Sequence, residues 1–260
     1  MRPSLTIVKV GGNIIDDPQK LNQLLSAFAE LNGLKILVHG GGKLATQMAQ
    51  DMKIPQQMID GRRVTDEATL KIVTMVYAGW INKQIVASLN AINTTTIGIT
   101  GADGPSILSH KRIHAEIDFG FVGDVDTVNS DFFKQLLEQG KTIVVAPITQ
   151  DKNGQLLNTN ADTIAQEIAK ALSASFDVSL IYSFEKKGVL SNIADENSVI
   201  KELDALSYQK LKAENLIFAG MIPKLDNAFS AITAGVKRVI IGDATALGDL
   251  IAGYSGTTIA

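Results

Sequence analysis

Two runs of glycine follow two short apolar segments, and a basic residue lies beside each run. The first run, residues 11–12, comes two positions after Lys9, and the second, residues 40–42, comes directly after His39. Glycine has no Cβ, so its backbone N–H can approach a ligand closely, and a following helix adds its own free N–H groups. The pattern favours an anion, phosphate above all, bound between two neighbouring strand ends.

A dinucleotide-binding turn is the main alternative interpretation of the second run. Residues 40–45 read G-G-G-K-L-A, which fits the G-x-G-x-x-A fingerprint. The acidic residue expected about 20 positions further on would be Asp60, which lies in a turn-forming segment and not at a strand end. An NAD-dependent oxidoreductase is therefore kept as an alternative from another enzyme class.

Two predicted helix starts carry further polar residues. In the segment 158–162, Asn160 suits an N-cap and Asp162 suits the first turn, so ordinary capping explains both. The functional alternative is that Asn158 and Asn160 bind a ligand while Asp162 orients a lysine. At the second start, Lys224 follows Pro223 and opposes the helix dipole, which a bound phosphate would compensate.

A turn with two arginines, Arg62 and Arg63, precedes another predicted helix. It is either a solvated turn or a site where one arginine clamps a carboxylate with its bidentate fork. His110 and His114 are four residues apart but have no acidic motif beside them. We therefore predict that they lie on the surface and that the protein itself holds no metal.

Composition narrows the class of protein. At 260 residues, with 45% hydrophobic and 20% charged residues, the chain can form one well-buried domain. Its net charge of −3 argues against nucleic acid or an anionic membrane as a partner. The absence of cysteine excludes disulfides and thiolate chemistry and fits a cytoplasmic location. No segment approaches the ~20 apolar residues of a membrane span.

Apolar β-branched segments alternate with helix-periodic segments along the chain. This alternation predicts an α/β fold, a three-layer αβα sandwich around a mainly parallel central sheet. We expect a single domain over 1–260 with a first lobe at 1–174 and a second at 175–260, and a β-hairpin within 104–126. Strands are expected at 5–10, 35–38, 95–99, 142–146, 178–182 and 238–241, and helices at 18–31, 43–52, 66–92, 130–139, 161–172 and 223–234.

Taken together, these segments resemble the amino-acid kinase family over almost the whole chain. The motifs that contain Lys9 and His39 are shared by related kinases. The turn with Arg63 and the segments 158–162 and 220–224 are more typical of members that act on N-acylated glutamate. The motifs are Val8-Lys9-Val10-Gly11-Gly12, His39-Gly40-Gly41-Gly42, Gly61-Arg62-Arg63-Val64-Thr65, Gly120-Phe121-Val122-Gly123, Asn158-Thr159-Asn160-Ala161-Asp162 and Gly220-Met221-Ile222-Pro223-Lys224.

The resemblance implies that the side-chain carboxylate of an N-acyl-L-glutamate is phosphorylated by ATP to an acyl phosphate, as a step of arginine biosynthesis. N-acetyl-L-glutamate is the first candidate substrate, and Mg²⁺ arrives with ATP, held largely by phosphate oxygens. A carboxylate is already ionised at neutral pH, so the reaction needs no general base. Catalysis then consists of alignment and charge neutralisation.

The resemblance also implies roles for individual residues. Lys9 and Lys224 flank the moving phosphoryl group from opposite lobes, and Asp162 holds both lysines. Residues 183–190 depart from the family's Ser/Thr-Asp-x-x-Gly-Val pattern, since Glu185 replaces the aspartate. The implied substrate-binding residues are Gly41, Gly42, Arg63, Asn158 and Asn160, and the implied nucleotide-binding residues are Gly11, Gly12, Glu185, Lys186, Lys187 and Gly188.

Two further expectations concern assembly and regulation. The segment 66–92 has more apolar residues than one sheet face can cover, which predicts a twofold homodimer. Strand one begins near Leu5, which leaves too few residues for the leading helix of arginine-inhibited members, so we expect insensitivity to arginine.

The identity of the acceptor has open alternatives. A sibling kinase acting on another carboxylate or phosphate acceptor fits the shared motifs, and an inactive member that only binds an acylated amino acid is a further possibility. Intact Lys9, Asp162 and Lys224 argue against the inactive form. The sequence alone gives no readable selector between an acetyl, a succinyl or another acyl group.

Overall fold

A computed structural model describes residues 2–59, 62–184, 186–192, 195–214, 216–217 and 221–260. Its strands are β1 (Ser4–Val10), β2 (Leu34–His39), β3 (Met58–Ile59), β4 (Arg62–Arg63), β5 (Thr96–Ile99), β6 (Ile107–Lys111), β7 (Val122–Val128), β8 (Thr142–Val145), β9 (Ile148–Gln150), β10 (Leu156–Thr159), β11 (Asp177–Phe184), β12 (Glu202–Leu203), β13 (Arg238–Asp243) and β14 (Thr257–Ile259). Its α-helices are α1 (Gly12–Ile15), α2 (Pro18–Glu30), α3 (Gly42–Asp51), α4 (Glu67–Thr74), α5 (Asn82–Ala91), α6 (Ser130–Glu138), α7 (Ala161–Leu172), α8 (Ala205–Ala213), α9 (Ile222–Thr233) and α10 (Leu247–Ala252).

Eight strands form the central sheet, in the order β12-β14-β13-β11-β1-β2-β8-β5. Every neighbouring pair is parallel except β13 and β14. The expected strands are all present, and their ends agree with the sequence prediction within two residues.

Helices cover both faces of this sheet. Side chains alternate along a strand, so Ile7 of β1 packs on the face covered by α6, α7 and α9, and Val8 packs on the face covered by α2, α3 and α5. Two separate apolar clusters result, one in each helical layer. The predicted mainly parallel αβα sandwich is confirmed.

The carboxyl ends of three neighbouring strands meet at one edge of the sheet. Val10 at the end of β1 pairs in register with His39 of β2 and with Ser183 of β11. Both glycine runs therefore leave the sheet at the same edge, where parallel α/β sheets bind their ligands.

A small closed barrel of four strands, in the order β10-β7-β6-β9, flanks this edge. Its antiparallel pair β6 and β7 is the hairpin expected within 104–126. Strands β9 and β10 were not expected. They have only three and four residues, which is too short for an alternation of apolar and polar residues to be recognised in the sequence.

The long segment predicted as one helix consists of α4, a π-helical turn over Met75–Ile81, and α5. Most of its apolar side chains are already buried within this single chain. Among those left outside are Met75, 52% exposed, and Trp80, 63% exposed. The surplus of apolar surface is therefore smaller than the sequence suggested and is concentrated at the π-helical turn.

None of the described helices is both long enough and apolar enough to cross a membrane.

Candidate functional site

A cavity opens where the two glycine runs leave the sheet. Its walls come from the end of β1, the β3–β4 hairpin, the π-helical turn, the small barrel and the start of α7. The lining residues are Lys9, Gly12, Gly40, Gly41, Gly42, Met58, Arg62, Arg63, Tyr77, Val122, Pro147, Asn158, Thr159, Asn160, Ala161 and Asp162.

Three charged side chains meet at one side of this cavity. Lys9 Nζ lies 2.7 Å from Asp162 Oδ1, and Lys224 Nζ donates to Asp162 Oδ2 at 2.6 Å. The lysine side chains are 12% and 24% exposed and the aspartate 15%. The structure thus brings together the three residues expected to act together, with one carboxylate between two ammonium groups.

The local folding of each segment explains this meeting. Residues 5, 7 and 9 of β1 point to the same face, so Lys9 lies on the side covered by α7 and α9. Asn160 caps α7 by accepting from the N–H groups of Asp162 and Thr163, at 2.8 and 3.1 Å. Lys224 lies in the first turn of α9, where its charge opposes the helix dipole, and Asp162 supplies the compensating charge.

The electrostatics of the three groups are coupled. Burial lowers the pKa of Lys9, Asp162 opposes that shift, and the nearby Lys224 adds to it. Burial alone would raise the pKa of Asp162, but the two ammonium groups outweigh burial and hold it well below its usual range. Two cations against one anion leave a net positive charge at the cavity, which suits an anionic ligand.

The second glycine run can adopt its path only with glycine in the middle. Gly41 has a φ of +147°, and a Cβ there would lie 2.3 Å from Ile81 Cδ1 of the π-helical turn. Gly42 begins α3, and its N–H lies near Gly12 of the first run. The two glycine runs are therefore adjacent, as expected.

His39 supports this turn from inside the protein. It is fully buried, and burial lowers its pKa to about 4, so the ring is neutral at physiological pH. Nδ1 lies 2.8 Å from the Gly40 carbonyl and Nε2 lies 3.3 Å from Asn82 Nδ2. The carbonyl can only accept, which assigns the proton to Nδ1 and makes Nε2 the acceptor. His39 therefore carries no charge to offer a ligand.

Arg63 is buried, and its guanidinium binds the protein itself. Nη2 donates to the Gly42 carbonyl at 2.9 Å and to Thr46 Oγ1 at 2.8 Å, and Nη1 donates to Gln56 Oε1. These three bonds use three of its five N–H groups, and Arg63 also acts on the neighbouring Tyr77 hydroxyl, whose pKa it lowers against the larger raising effect of burial. Arg63 thus ties the second glycine run to β4 as well as lining the cavity.

The two asparagines have different partners. Asn158 donates to Thr65 Oγ1 at 3.0 Å, a contact that joins the small barrel to the segment after β4. The Oδ1 atom of Asn160 is engaged in capping α7, whereas no described residue accepts from its side-chain N–H groups. Both residues line the cavity, and their binding of a substrate stays a prediction.

A second cavity is lined by residues from the end of β13 and from the segments that follow β11 and β13. Lys187 contributes to it and donates to Asn197 Oδ1 at 3.2 Å, while Lys186 pairs with Glu196 at 2.9 Å. Gly188 is buried, and an added Cβ would lie 2.7 Å from Thr257 Oγ1, so packing accounts for that glycine. Glu185 lies outside the described residues. Gly11 is the N-cap of α1 and precedes Gly12, which lines the first cavity.

Several lining or supporting residues escaped the sequence analysis. Gln56, Thr46 and Tyr77 surround Arg63 and Gly41, yet no motif or spacing connects them with those residues. Thr65 was part of a quoted motif, but nothing in that motif indicates its contact with Asn158. In the described part of the chain no three acidic or histidine side chains are grouped so as to hold a metal.

Comparison with known proteins identifies related sequences along the whole chain. A family model described as the amino acid kinase family matches residues 4–243. A Cytophaga hutchinsonii protein named acetylglutamate kinase is 55% identical over 248 residues, which cover 95% of this chain and 94% of that protein. A Bacteroides fragilis protein of the same name is 52% identical over 247 residues, 95% of each. A solved structure, smu.665 from Streptococcus mutans, superposes with a TM-score of 0.81 at 26% identity and covers 98% of both chains.

Proposed function

The chain belongs to the amino acid kinase family, and from this premise we propose that it transfers the γ-phosphoryl group of ATP to the side-chain carboxylate of an N-acyl-L-glutamate. N-acetyl-L-glutamate is the acceptor that the names of its relatives give. The product is an acyl phosphate, and the reaction is a step of arginine biosynthesis.

The arrangement of Lys9, Asp162 and Lys224 is the observation that carries this proposal. Two ammonium groups lie 2.7 and 2.6 Å from the same carboxylate, beside a cavity bounded by two glycine turns. Such a pair can neutralise the charge that spreads over phosphoryl oxygens during transfer. Because Asp162 holds both lysines in place before substrates arrive, little reorganisation is needed at the moment of reaction.

The chemical step is an in-line displacement at phosphorus. An oxygen of the acceptor's carboxylate forms a bond to the γ-phosphorus, the bond to the bridging oxygen of ATP breaks, and that oxygen leaves with ADP. Lys9 and Lys224 face the transferred group, and the backbone N–H groups of Gly11 and Gly12 bind the phosphate side of it. Gly41, Gly42, Arg63, Asn158 and Asn160 orient the acceptor.

Mg²⁺ enters as part of the substrate, as MgATP. Among the described residues, Asp162 is the only carboxylate that lines the first cavity, and both of its oxygens contact lysines. Magnesium commonly keeps its waters and relies on substrate phosphates, so this lack of a free carboxylate is compatible with MgATP. The lysine pair neutralises phosphate charge that the metal leaves uncovered.

We assign the two lobes to the two substrates. The first cavity is lined within the proposed acceptor lobe, 1–174, and the second within the proposed nucleotide lobe, 175–260. Lys224, from the second lobe, reaches the first cavity through Asp162. Lys186, Lys187, Gly188 and Glu185 remain our candidates for the nucleotide side, and we place the enzyme in the cytoplasm.

A hydroxamate assay tests the proposed function. The protein is mixed with ATP, Mg²⁺, N-acetyl-L-glutamate and hydroxylamine, which converts an acyl phosphate into a hydroxamate that forms a coloured complex with Fe³⁺. We expect product that depends on both ATP and the acylated amino acid. Product with aspartate, unacylated glutamate or carbamate in its place would favour a sibling kinase, and no kinase product at all would contradict the proposal.

Changing Arg63 to lysine tests acceptor recognition. Lysine keeps the charge but loses the planar fork and the bonds to Gly42, Thr46 and Gln56. We expect the KM for the acceptor to rise by roughly 10-fold, the order expected for losing one charge-assisted hydrogen bond, while the KM for ATP changes little. Steady-state kinetics with each substrate varied in turn measure this. Equal increases in both KM values would show that Arg63 is structural only.

We also propose that two copies associate through the exposed surface of the π-helical turn. Met75 and Trp80 are large apolar side chains left outside the core of this chain, and such patches mark association sites. Sedimentation at micromolar concentration should show a dimer, and Trp80→Glu should yield a monomer. Leu206→Glu is the control, since Leu206 is 85% exposed elsewhere. A wild-type monomer, or a dimer unaffected by Trp80→Glu, would refute this interface.

A further inference from the structure

Arg62 lines the cavity and has no counterion of its own among the residues that the structure describes. It is half-buried in β4, next to Arg63 in sequence. Within the part of the chain that the structure describes, its guanidinium forms no hydrogen bond or ion pair. Burial lowers the pKa of Arg62, the neighbouring Arg112 lowers it further, and Asp124 acts in the opposite direction. A partly desolvated cation thus faces the cavity beside another cation.

The carboxylate near Arg62 is bound by that other cation. Arg112 Nε lies 3.2 and 3.0 Å from the two oxygens of Asp124, and Arg112 Nη2 also donates to Oδ1. Because both oxygens of Asp124 contact Arg112, this is a bidentate pair in which Asp124 is already neutralised. With Asp124 engaged in this way, no carboxylate among the described residues occupies the fork of Arg62.

The cations of the cavity outnumber the carboxylates of N-acetylglutamate. In the proposed reaction, Lys9 and Lys224 lie where the reacting carboxylate and the phosphoryl group meet, and the family resemblance implies that Arg63 and Asn158 bind the α-carboxylate. Arg62 is an additional cationic group. It belongs to the β3–β4 hairpin and not to the strand edge that carries Lys9, so it reaches the cavity from a different wall than Lys9 does.

We propose that Arg62 binds a carboxylate carried by the acyl group of the acceptor, so that N-succinyl-L-glutamate or another N-dicarboxylic-acyl glutamate is preferred over N-acetyl-L-glutamate. This inference rests on the proposed phosphorylation of an N-acylglutamate and names its substrate class. The methyl group of an acetyl substituent offers nothing to a guanidinium, whereas a terminal carboxylate can accept two parallel N–H bonds.

The ratio of kcat/KM for N-succinyl-L-glutamate to kcat/KM for N-acetyl-L-glutamate measures the preference. We expect a ratio of about 10–100 in the wild type, the range that charge-assisted hydrogen bonds provide. Arg62→Leu should lower that ratio by about the same factor, and Arg62→Lys should lower it less because the charge remains. The matched control is Arg2→Leu, which removes an arginine that donates to the Ser173 carbonyl outside the cavity. Its ratio should equal that of the wild type.

The outcomes separate this inference from the function on which it rests. A wild-type ratio at or below one, or an Arg62→Leu variant that slows both substrates equally, would overturn the role of Arg62 while leaving the kinase activity intact. Absence of acyl phosphate from both substrates would overturn the proposed function itself. Calorimetric titration with N-succinyl-L-glutamate gives a second readout, in which Arg62→Leu should bind about 10-fold or more weakly.

Discussion

Lys9→Ala and Lys224→Ala enzymes should each show kcat reduced by ~10²–10³-fold, the loss typical of deleting one preorganised donor to a developing charge. Both ammonium groups contact Asp162 beside the cavity, and both contacts with a phosphoryl group strengthen as charge moves in the transition state. The KM values should therefore change much less than kcat.

The matched control for these variants is a lysine in a similar ion pair away from the cavity. Lys237 lies 2.7 Å from Asp177 but is 64% exposed, so Lys237→Ala should leave kcat near the wild-type value. A Lys9→Ala or Lys224→Ala enzyme with unchanged kcat would show that the lysine pair does not face the transferred group.

Asp162→Asn should also lower kcat by ~10²-fold or more, since both lysines lose the anion that positions them. Its second effect is on stability. Two ammonium groups then face each other without compensation, and we expect a loss of about 3 kcal/mol of unfolding free energy, the low end for a broken buried ion pair because these groups are partly exposed.

The pH profile gives Asp162→Asn a readout that simple loss of packing would not move. Lys9 is active when charged, and its pKa is already lowered by burial while Asp162 raises it. Removing the carboxylate removes the raising influence, so the pKa of Lys9 falls further. The alkaline decline in kcat should begin at lower pH in Asp162→Asn than in the wild type. An alkaline limb at the same pH would mean that Lys9 is not the titrating group. Asp177→Asn, which breaks the exposed pair with Lys237, is the control.

The sequence identified site residues where a charged side chain lies near the end of a predicted strand or at the start of a predicted helix. Lys9 in an apolar strand and Lys224 in the first turn of a helix occupy unusual positions for a cation, Asp162 follows a strong N-cap, and all three meet in the structure. Their roles in catalysis stay predictions. The sandwich and its parallel sheet also followed from alternating segments, because long buried strands and capped helices carry strong local signals.

Other features depend on contacts between distant segments, which a single sequence does not reveal. The bond from Arg63 to Gly42 spans 21 residues and that from Asn158 to Thr65 spans 93. The short strands β9 and β10 exist because they pair within a barrel. The neutral state of His39 is set by burial, which its position at a strand end does not reveal.

Isotope transfer tests the central claim most directly. N-acetyl-L-glutamate labelled with ¹⁸O in its side-chain carboxylate is incubated with ATP, Mg²⁺ and the enzyme, and hydroxylamine then attacks the acyl carbon of the product. If the carboxylate attacked phosphorus, the released inorganic phosphate carries one ¹⁸O atom, which mass spectrometry or the ³¹P NMR isotope shift detects. We predict ¹⁸O-labelled phosphate in amounts equal to the hydroxamate formed. Phosphate free of ¹⁸O would show that water or another acceptor received the phosphoryl group.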